Sequence, residues 1–348
     1  MYELQQLPIP LLVWSGENAR KLPWREDPTP YRVWLSEVML QQTRVAAVLD
    51  YYARFLSAAP TVEDLAALPE DELMKLWQGL GYYSRARNLH KAANMVMERF
   101  GGEFPKSYED ILSLPGVGEY TAGAIASIAF GQPVPAVDGN VLRVVSRINA
   151  DESDITLALT KKQVRQQLQE IIPVKQAGDF NQAMMELGAT VCLPNGAPLC
   201  DQCPARDFCR ARLEERIHQL PVKAEKKERR MEQRVVFLLF HKGQVALRKR
   251  QERGLLAGLW EFPNELRSEE DVLARWGVMW QSDRPAGTGT HIFSHIEWRM
   301  EGRVVECAGP ALPEGWVWAD REELERRYAV PNAFRAFEPV VKEQLGYF

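Results

Sequence analysis

Four of the five cysteines lie within eighteen residues, at Cys192, Cys200, Cys203 and Cys209. Their spacing, C-x7-C-x2-C-x5-C, allows four thiolates to converge on one metal centre. Structural zinc sites commonly use two C-x2-C pairs separated by a longer loop, whereas this compact set contains one such pair. The spacing therefore favours a [4Fe–4S] cluster held by four cysteines, with zinc as the alternative. Cys307 lies in a strand pattern and is interpreted as a core thiol.

Glu37 places a carboxyl group on an apolar helix face. Its neighbours at helical spacing are Val33, Trp34, Leu40 and Gln41. Burial raises the pKa of a carboxyl group, and a carboxylic acid that is protonated near neutral pH can act as a general acid. The alternative is a glutamate at the edge of the apolar stripe whose side chain reaches solvent.

The segment 114–125, LPGVGEYTAGAI, predicts a helix-hairpin-helix. Pro115 stops one helix, Gly116 and Gly118 allow a tight turn, and an alanine-rich helix starts at Glu119. The N–H groups of such a turn can bind a DNA phosphate without reading the base sequence. An ordinary αα-hairpin is the alternative for the two glycines taken alone.

Asp138 lies in the sequence PAVDGNV, just before an amphipathic helix. Aspartate is a good N-cap residue, and taken alone the position favours that structural role. A carboxylate at a helix N-terminus can also stabilise positive charge that develops on a sugar. Both interpretations place the side chain at the start of the same helix.

The elements that position these residues are predicted to be helices up to about residue 216. Apolar residues recur at three- and four-residue spacing, with helical segments expected over Tyr31–Phe55, Glu70–Leu80 and Tyr83–Phe100. Thr160 and Gln163 have the spacing of a capping box. The mixed charges of residues 218–234 are typical of an exposed linker.

Beyond residue 234 the periodicity is that of strands. RVVFLLF and VALRKR, joined by HKGQ, predict a β-hairpin. A second hairpin is predicted for HIFSHIEWRM and RVVECA, with its turn at Glu301-Gly302. Helices are expected over Arg321–Tyr328 and Phe334–Leu345. The sequence therefore predicts an α domain followed by an α+β domain.

Length and composition agree with two globular domains. The chain has 348 residues, 46% hydrophobic and 26% charged, and a domain takes roughly 150 residues. No apolar run is long enough to cross a bilayer, and the N-terminus lacks the pattern of a secretory signal, so we expect a soluble cytoplasmic protein with no membrane partner. With 43 basic and 47 acidic residues and a net charge of −4, nucleic-acid binding must depend on local features.

Several motifs together resemble the endonuclease III superfamily of DNA glycosylases, and within it the MutY-type adenine DNA glycosylases. They are SEVMLQQT, GLGYYSRARNLH, LPGVGEYTAGAIAS, VPAVDGNVLRV and the four-cysteine loop, and the likeness spans nearly the whole chain. The resemblance implies an all-α helix-hairpin-helix glycosylase domain with an iron–sulfur cluster loop, followed by an α+β Nudix-like domain. The implied boundaries are a catalytic domain at 1–216 (helical barrel lobe about 28–133, cluster lobe 1–27 plus 134–216), a linker at 217–233 and a lesion-recognition domain at 234–348.

The function implied by the resemblance is base excision repair by a monomer associated with the bacterial nucleoid. Such an enzyme hydrolyses the N-glycosidic bond of adenine mispaired with 8-oxoguanine or guanine in double-stranded DNA. Glu37 would protonate adenine at N7 and help to activate water. Asp138 would stabilise the oxocarbenium-like sugar, with Tyr120 and Asn140 holding it in place. Tyr120 stands where bifunctional members carry the lysine that Schiff-base formation requires, so efficient strand cleavage is not expected.

The resemblance also assigns binding residues. Gln42, Thr43 and Tyr82 match positions around the lesion pair, Tyr82 as a wedge, and Arg25 and Gln182 match the adenine pocket. In the second domain, Phe293, Ser294 and His295 match a loop that contacts the oxidised guanine, by stacking and hydrogen bonding; a hairpin turn without a ligand is the alternative. Further candidate phosphate contacts are the cluster loop, Arg85, Arg87, Lys91, Lys226, Lys227, Arg229 and Arg230.

Two positions depart from the patterns of these families. When the Nudix box is aligned on Gly277-Val278, Ala274 and Arg275 replace the metal-binding glutamates, so phosphohydrolase activity is not expected. The first two cluster cysteines are separated by seven residues instead of the usual six, and an extra residue in a loop costs little closure entropy. We therefore still expect the cluster to form.

Three other functions are weighed against this one. Tyr120 argues against a pyrimidine-lesion glycosylase/lyase. The apolar surroundings of Glu37 argue against a binding protein without catalysis. The missing glutamates argue against a Nudix-type nucleotide hydrolase.

Overall fold

A computed structural model describes residues 2–224 and 228–347. The predicted phosphate contacts Lys226 and Lys227 lie outside these residues. The described residues form two compact units, one drawn from 2–67 and 87–224 and the other from 68–86 and 228–347. No helix in the described ranges combines the length and apolar character needed to cross a membrane.

Up to residue 224 the chain is helical. In chain order the α-helices are α1 (Tyr2–Gln5), α2 (Pro8–Asn18), α3 (Pro23–Glu26), α4 (Pro30–Leu40), α5 (Val45–Ala58), α6 (Val62–Ala67), α7 (Glu70–Leu76), α8 (Ser84–Phe100), α9 (Tyr108–Leu112), α10 (Glu119–Ile128), α11 (Gly139–Asn149), α12 (Ala158–Ile171), α13 (Ala177–Thr190) and α14 (Arg210–Leu213), with 3-10 turns at Cys200–Gln202 and Ile217–Gln219.

Two local predictions in this region are wrong. The continuous helix expected over Tyr31–Phe55 is interrupted between α4 and α5, where Gln42 has a φ of 58°. No glycine or proline marks this break in the sequence. Just before it, Gln41 makes a long-range contact by donating to the Thr121 hydroxyl at 3.4 Å. The capping box at Thr160 also fails, because α12 begins before it, at Ala158, and Thr160 is buried within the helix.

One core of the first unit joins the two ends of its sequence. Buried side chains of α1 and α2, such as Leu4 and Leu11, pack with Val145 of α11, Leu168 of α12 and Phe180 of α13. Burial of large apolar side chains stabilises the fold by about 1.5–3 kcal/mol each. The N-terminal helices are therefore tied to the helices that precede the cysteine loop.

The second unit is built on a seven-stranded sheet. Its strands are β1 (Arg230–His241), β2 (Gln244–Lys249), β3 (Trp260–Glu261), β4 (Asn264–Leu266), β5 (Trp280–Ile292), β6 (Ile296–Cys307) and β7 (Trp316–Ala319). The main path is β3-β2-β1-β6-β5, while β4 pairs with β1 and β7 with β2. The helical elements are α15 (Val272–Arg275), α16 (Arg321–Arg326), a 3-10 helix at Asn332–Phe337 and α17 (Glu338–Gln344).

Strand β1 is buried on both faces. Val236 and Leu238 face one apolar core, whereas Phe237 and Leu239 face another, as the alternation of side chains along a strand requires. The predicted hairpin of β1 and β2 is confirmed by antiparallel pairing. β1 begins at Arg230, inside the segment whose composition indicated a linker.

The second predicted hairpin is wrong in the position of its turn. Strand β6 runs straight through Glu301-Gly302, and the chain reverses at 293–295 instead. Gly302 is required by packing rather than by a turn, because a Cβ there would lie 2.5 Å from Cε1 of Phe337. The Phe337 ring is fully buried against this gap.

The segment 68–86 belongs to the second unit although its sequence lies among the helices. Lys75 donates its ammonium to the carbonyls of Leu324 and Tyr328, at 2.8 and 3.2 Å. Gln78 donates to the carbonyl of Val330 at 2.8 Å. Burial lowers the pKa of Lys75 to about 8. The predicted linker at 217–233, and the two domains predicted on either side of it, stay predictions.

Gly302→Ala is expected to destabilise the second unit by about 1–3 kcal/mol, because the added methyl group overpacks the core against Phe337. The measurement is the midpoint of thermal unfolding by calorimetry. Gly309→Ala is the matched control, since a Cβ at Gly309 meets no atom within 4 Å. Equal midpoints for the two variants would show that Gly302 is not required by packing.

Candidate active site

A cavity of about 1290 Å³ in the first unit brings together the chemical groups singled out in the sequence. Glu37, Tyr120 and Asp138 all line it. So do other predicted site residues, namely Arg25, Gln42, Thr43, Gly116, Gly118, Asn140 and Gln182. Residues more than a hundred positions apart in the chain therefore share one space large enough for a purine base.

Glu37 projects from α4 into this cavity with only 5% of its surface exposed. Its Oε2 accepts a hydrogen bond from the Tyr120 hydroxyl. Burial raises the pKa of Glu37 to about 7, and the charge of Asp138 adds to this effect, whereas the Tyr120 hydrogen bond and the charge of Arg25 lower it. The predicted burial of Glu37 is confirmed, and the carboxyl group is substantially protonated near neutral pH.

Tyr120 lies in the first turn of α10 and donates its hydroxyl to Glu37, so this contact replaces the predicted hold of Tyr120 on Asp138, to which Asn140 donates. Its hydroxyl also lies 3.2 Å from the Met185 sulfur. Burial, followed by the nearby Glu37 and Asp138 charges, raises the pKa of Tyr120 well above its usual value. The residue stays a neutral phenol that donates a hydrogen bond, and it offers no amine to the cavity.

Asp138 is the N-cap of α11 and lines the cavity as well. Oδ1 accepts the Val141 N–H at 2.7 Å, and Oδ2 accepts the Asn140 side-chain amide at 2.8 Å. Burial raises the pKa of Asp138, opposed by these hydrogen bonds. The capping role is confirmed, and it holds the carboxyl group at the positive end of a helix dipole.

Arg143 supports Asn140 and was not singled out in the sequence. Its Nη2 donates to Asn140 Oδ1 and to the Gly188 carbonyl, each at 2.8 Å, and its Nε donates to the Cys192 carbonyl at 2.8 Å. A Cβ at Gly188 would lie 2.5 Å from the Asn140 Cβ, so glycine lets α13 approach α11. The one sign of this supporting role in the sequence is that Arg143 lies on the buried face of an amphipathic helix.

The entrance of the cavity includes two backbone turns. Gln42 has a φ of 58° between α4 and α5, a left-handed conformation that is uncommon outside glycine. Gly116 has a φ of 76° in the turn before α10, and a Cβ there would lie 2.6 Å from the Asn88 Cβ. Gly116 and Gly118 are exposed, so the N–H groups at the start of α10 are accessible to an anion.

One wall of the cavity carries two charged groups, Arg20 and Glu186, that the sequence analysis did not single out. Gln182 and Glu186, one turn apart on α13, line it together with Arg20 and Arg25. Glu186 is 1% exposed and binds both arginines. The sequence signal that could have identified Glu186 is its spacing of four residues from Gln182, which places both side chains on the same face of a helix.

The four clustered cysteines line a second, smaller cavity. Arg147 donates to the Cys192 sulfur at 3.3 Å, and the Cys209 thiol lies 3.4 Å from the Arg147 carbonyl. Leu187 and Val191 supply apolar walls. Across residues 2–224 and 228–347, however, no three His, Cys, Asp or Glu side chains are arranged as a metal-binding group. Gly196, in the loop between Cys192 and Cys200, has a φ of 73°.

The second unit carries the remaining predicted residues. Tyr82, with a φ of 46°, has its hydroxyl 3.4 Å from the Ser294 hydroxyl. Phe293 packs edge-on against Trp298, with ring centroids 4.9 Å apart. Ser294 and His295 are exposed in the turn between β5 and β6.

The basic residues predicted to contact phosphate fall into different environments. Arg85 is buried and donates to the carbonyls of Leu80 and Gly81, so it does not present its charge on the surface as predicted. Lys91 is exposed and Arg87 is half-buried. Arg229 donates to the Phe293 carbonyl at 3.1 Å, while the Arg230 side chain is 70% exposed.

Both halves of the chain match known protein families. Residues 35–174 match the HhH-GPD superfamily of base excision DNA repair proteins, and residues 235–337 match the NUDIX domain. The chain is 38% identical to the adenine DNA glycosylase of Homo sapiens, over 94% of this chain and 73% of the human protein.

Solved structures of DNA repair enzymes are also similar to the helical part of this chain. The chain is similar to a thermostable thymine-DNA glycosylase, with a TM-score of 0.56 and 28% identity, over 61% of this chain and 98% of that one. Endonuclease III in a non-covalent complex with DNA gives a TM-score of 0.52 and 28% identity, over 61% and 97% of the two chains. The predicted fold class is confirmed by these matches. From its helix-hairpin-helix and Nudix-like halves and its identity to curated relatives, the chain belongs to the adenine DNA glycosylases, hydrolases of N-glycosyl bonds in base excision repair.

Proposed function

We propose that this enzyme hydrolyses the N-glycosidic bond of adenine that lies opposite 8-oxoguanine or guanine in double-stranded DNA. The observation that carries the proposal is the convergence of Glu37, Tyr120 and Asp138 on one purine-sized cavity. A proton donor on one side and a carboxylate on the other suit heterolytic cleavage of a bond between nitrogen and a sugar carbon. The proposed catalytic residues all come from one chain, which supports action as a monomer.

Glu37 acts first as a general acid. It transfers its proton to adenine N7, which makes the base a neutral leaving group. The bond between N9 and C1′ then breaks, and its electron pair goes to adenine. A water molecule adds to C1′ and gives its proton to the Glu37 carboxylate, which restores the starting state.

Asp138 stabilises the positive charge that develops on the sugar in this step. Asn140 and the Val141 amide hold its two oxygens, so the carboxylate needs no reorganisation when the charge appears. Such preorganised electrostatic stabilisation is commonly the largest contribution to catalysis. Arg143 holds Asn140 in turn.

Tyr120 makes the enzyme monofunctional. Strand cleavage by a glycosylase/lyase proceeds through a Schiff base, which requires a primary amine. The phenol at this position donates to Glu37 instead. The product is therefore an abasic site in an uncut strand.

DNA binding depends on local contacts, since the chain as a whole has a net charge of −4. The turn of Gly116 and Gly118 offers N–H groups to a phosphate. Lys91 is an exposed cation three residues after Asn88, whose side chain lies against Gly116. The adenine must leave the duplex to enter the cavity, at a cost that is lowest for a mispaired base. Gln42 and Thr43 at the entrance contact the disturbed base pair, and Arg25 and Gln182 contact the extruded adenine.

The turn of Phe293, Ser294 and His295 recognises the oxidised guanine. Tyr82 and Ser294 place two hydroxyl groups within 3.4 Å of each other in the second unit, and Phe293 supplies an aromatic ring for stacking. Both hydroxyl groups can donate or accept hydrogen bonds. This combination suits a base that carries an additional polar group.

The four cysteines are proposed to hold a [4Fe–4S] cluster. Four thiols, surrounded by apolar side chains and by Arg147, fit the ligand set and negative charge of such a cluster. When bound, the cluster would fix the loop at 192–209 against α11 and α13. Arg147 positions Cys192 through its sulfur and the neighbouring Leu193 carbonyl.

Adenine release from a duplex with adenine opposite 8-oxoguanine is the direct test of this function. The wild-type protein is expected to release free adenine and to leave a site that alkali cleaves. Glu37→Gln and Asp138→Asn should each lower the single-turnover rate by about 10²–10⁴-fold, because each removes an ionisable group used in the transition state.

Glu63→Gln is the matched control for this experiment, because Glu63 is an exposed glutamate outside the cavity. Its rate should equal that of the wild type. Full activity of Glu37→Gln would contradict the assignment of the general acid. Strand breakage without alkali would contradict the monofunctional mechanism.

The rate of adenine release is expected to fall as the pH rises through about 7. The acid form of Glu37 is the active one, and burial raises the pKa of this carboxyl group to about 7. Activity is thus present below this pH and is lost above it. The measurement is the single-turnover rate with bound DNA between pH 5 and pH 9; a rate that stays constant to pH 9 would exclude Glu37 as the acid.

Ser294→Ala should reduce the preference for 8-oxoguanine over guanine opposite adenine. One lost hydrogen bond is worth about 1 kcal/mol, or roughly fivefold in rate or affinity for the 8-oxoguanine duplex. The guanine duplex should be affected less. Ser282→Ala, at an exposed position of β5, is the control, and equal effects on both duplexes would argue against recognition by this turn.

A further inference from the structure

Glu186 is a buried carboxylate in the cavity wall that the proposed mechanism does not use. Its Oε1 accepts the Arg20 Nε at 2.6 Å, and its Oε2 accepts the Arg20 Nη2 at 2.9 Å and the Arg25 Nη2 at 2.8 Å. The side chain is 1% exposed. Its pKa is held below the usual value by Arg20 and Arg25 despite burial, so it carries a full negative charge.

The two arginines are joined through this carboxylate. Arg25 also donates from Nη1 to the Arg20 carbonyl at 3.1 Å, which fixes one guanidinium group against the backbone of the other residue. The side chain of Arg25 is 18% exposed and that of Arg20 39% exposed, and both line the cavity. Removing a buried charge from such a set leaves its partners uncompensated.

One member of this group, Arg25, acts electrostatically on Glu37 in the same cavity. The groups that face Glu37 are Tyr120 on α10, Asp138 at the start of α11 and Arg25 on α3. Arg25 favours the ionised form of Glu37 and thereby opposes its role as an acid. Glu186, placed directly on Arg25, offsets that positive charge.

We propose that Glu186 is a positioning residue of the adenine pocket, which fixes the guanidinium groups of Arg20 and Arg25 in the cavity wall and favours the protonated form of Glu37 by offsetting one of their two positive charges. The proposal rests on the proposed function, since it concerns the same cavity. Glu186 on α13 would then influence the protonation of Glu37 on α4 through its charge, without touching it.

The test uses the full chain and compares pH–rate profiles under single-turnover conditions. Glu186→Gln keeps the shape of the side chain but removes its charge. The alkaline limb of the profile should move to lower pH by about one unit, which is the effect of one unit charge at a separation of roughly 12 Å and an effective dielectric constant of about 20. The loss of rate is therefore about tenfold above pH 8 and much smaller below pH 6. A merely structural role would lower the rate by the same factor at every pH.

Arg20→Met provides a second variant with the opposite sign. It removes a positive charge from the same group at a half-exposed position, so the alkaline limb should move to higher pH. This variant keeps the proposal testable if Glu186→Gln does not fold.

Glu261→Gln is the matched control. Glu261 is also 1% exposed and binds two arginines, Arg248 at 2.8 Å and Arg250 at 2.7 Å, but it lies in the sheet of the second unit. Its loss should lower the unfolding midpoint without moving the alkaline limb. If the wild type releases adenine but the alkaline limb of the pH–rate profile is unchanged in both Glu186→Gln and Arg20→Met, the inference is overturned. Absence of adenine release by the wild type would instead overturn the proposed function.

Discussion

The hydrogen bond between the Tyr120 hydroxyl and the buried Glu37 carboxyl group is the interaction on which the candidate active site depends. A carboxyl group taken out of water favours its neutral form. The shift of the Glu37 pKa from 4.5 to about 7 corresponds to on the order of 3 kcal/mol in favour of that form. Because Tyr120 remains a phenol, it can satisfy Glu37 by donation without adding a charge. The same burial that is unfavourable for a surface glutamate is what makes this one suitable as an acid.

The N-terminus of α11 joins most of the other parts of the first unit. Asp138 caps the helix, Asn140 holds Asp138, and Arg143 holds Asn140. Arg143 and Arg147 then reach the backbone and sulfur of Cys192. The proposed catalytic carboxylate and the proposed cluster loop are therefore connected through one buried helix. Charged side chains with several good hydrogen bonds can be buried in this way, whereas unpaired ones cannot.

The second unit shows how a chain segment can belong to a structure far from it in sequence. Residues 68–86 contact the C-terminal part of the unit through Lys75, whose ammonium is satisfied by two carbonyls. Tyr82 lies in this segment and meets Ser294 of the turn between β5 and β6. A residue from a helical region and a residue from a strand-rich region are thus neighbours in a single compact unit. In the proposed function, both contact the base opposite adenine.

The local sequence determined the features that depend on short-range chemistry. Periodicity distinguished the helical half from the strand half, and Asp138 could be recognised as a cap because N-cap preference is a local property. The glycines at 116 and 118 indicated a turn for the same reason. The family motifs are short and nearly continuous. They suggested the catalytic roles of Glu37 and Tyr120 and the role of the four cysteines as cluster ligands.

Only the tertiary structure decided the features that depend on residues distant in sequence. The break at Gln42 has no local signal, and Gly302 looked like a turn although it makes room for Phe337. Arg85 looked like a surface cation but is buried on backbone carbonyls. In the sequence, Glu186 differed from other helical glutamates only by its spacing from Gln182, whereas in the structure α13 brings it onto Arg20 and Arg25. Burial and charge compensation depend on which elements meet in space, and a linear pattern of residue types does not contain that information.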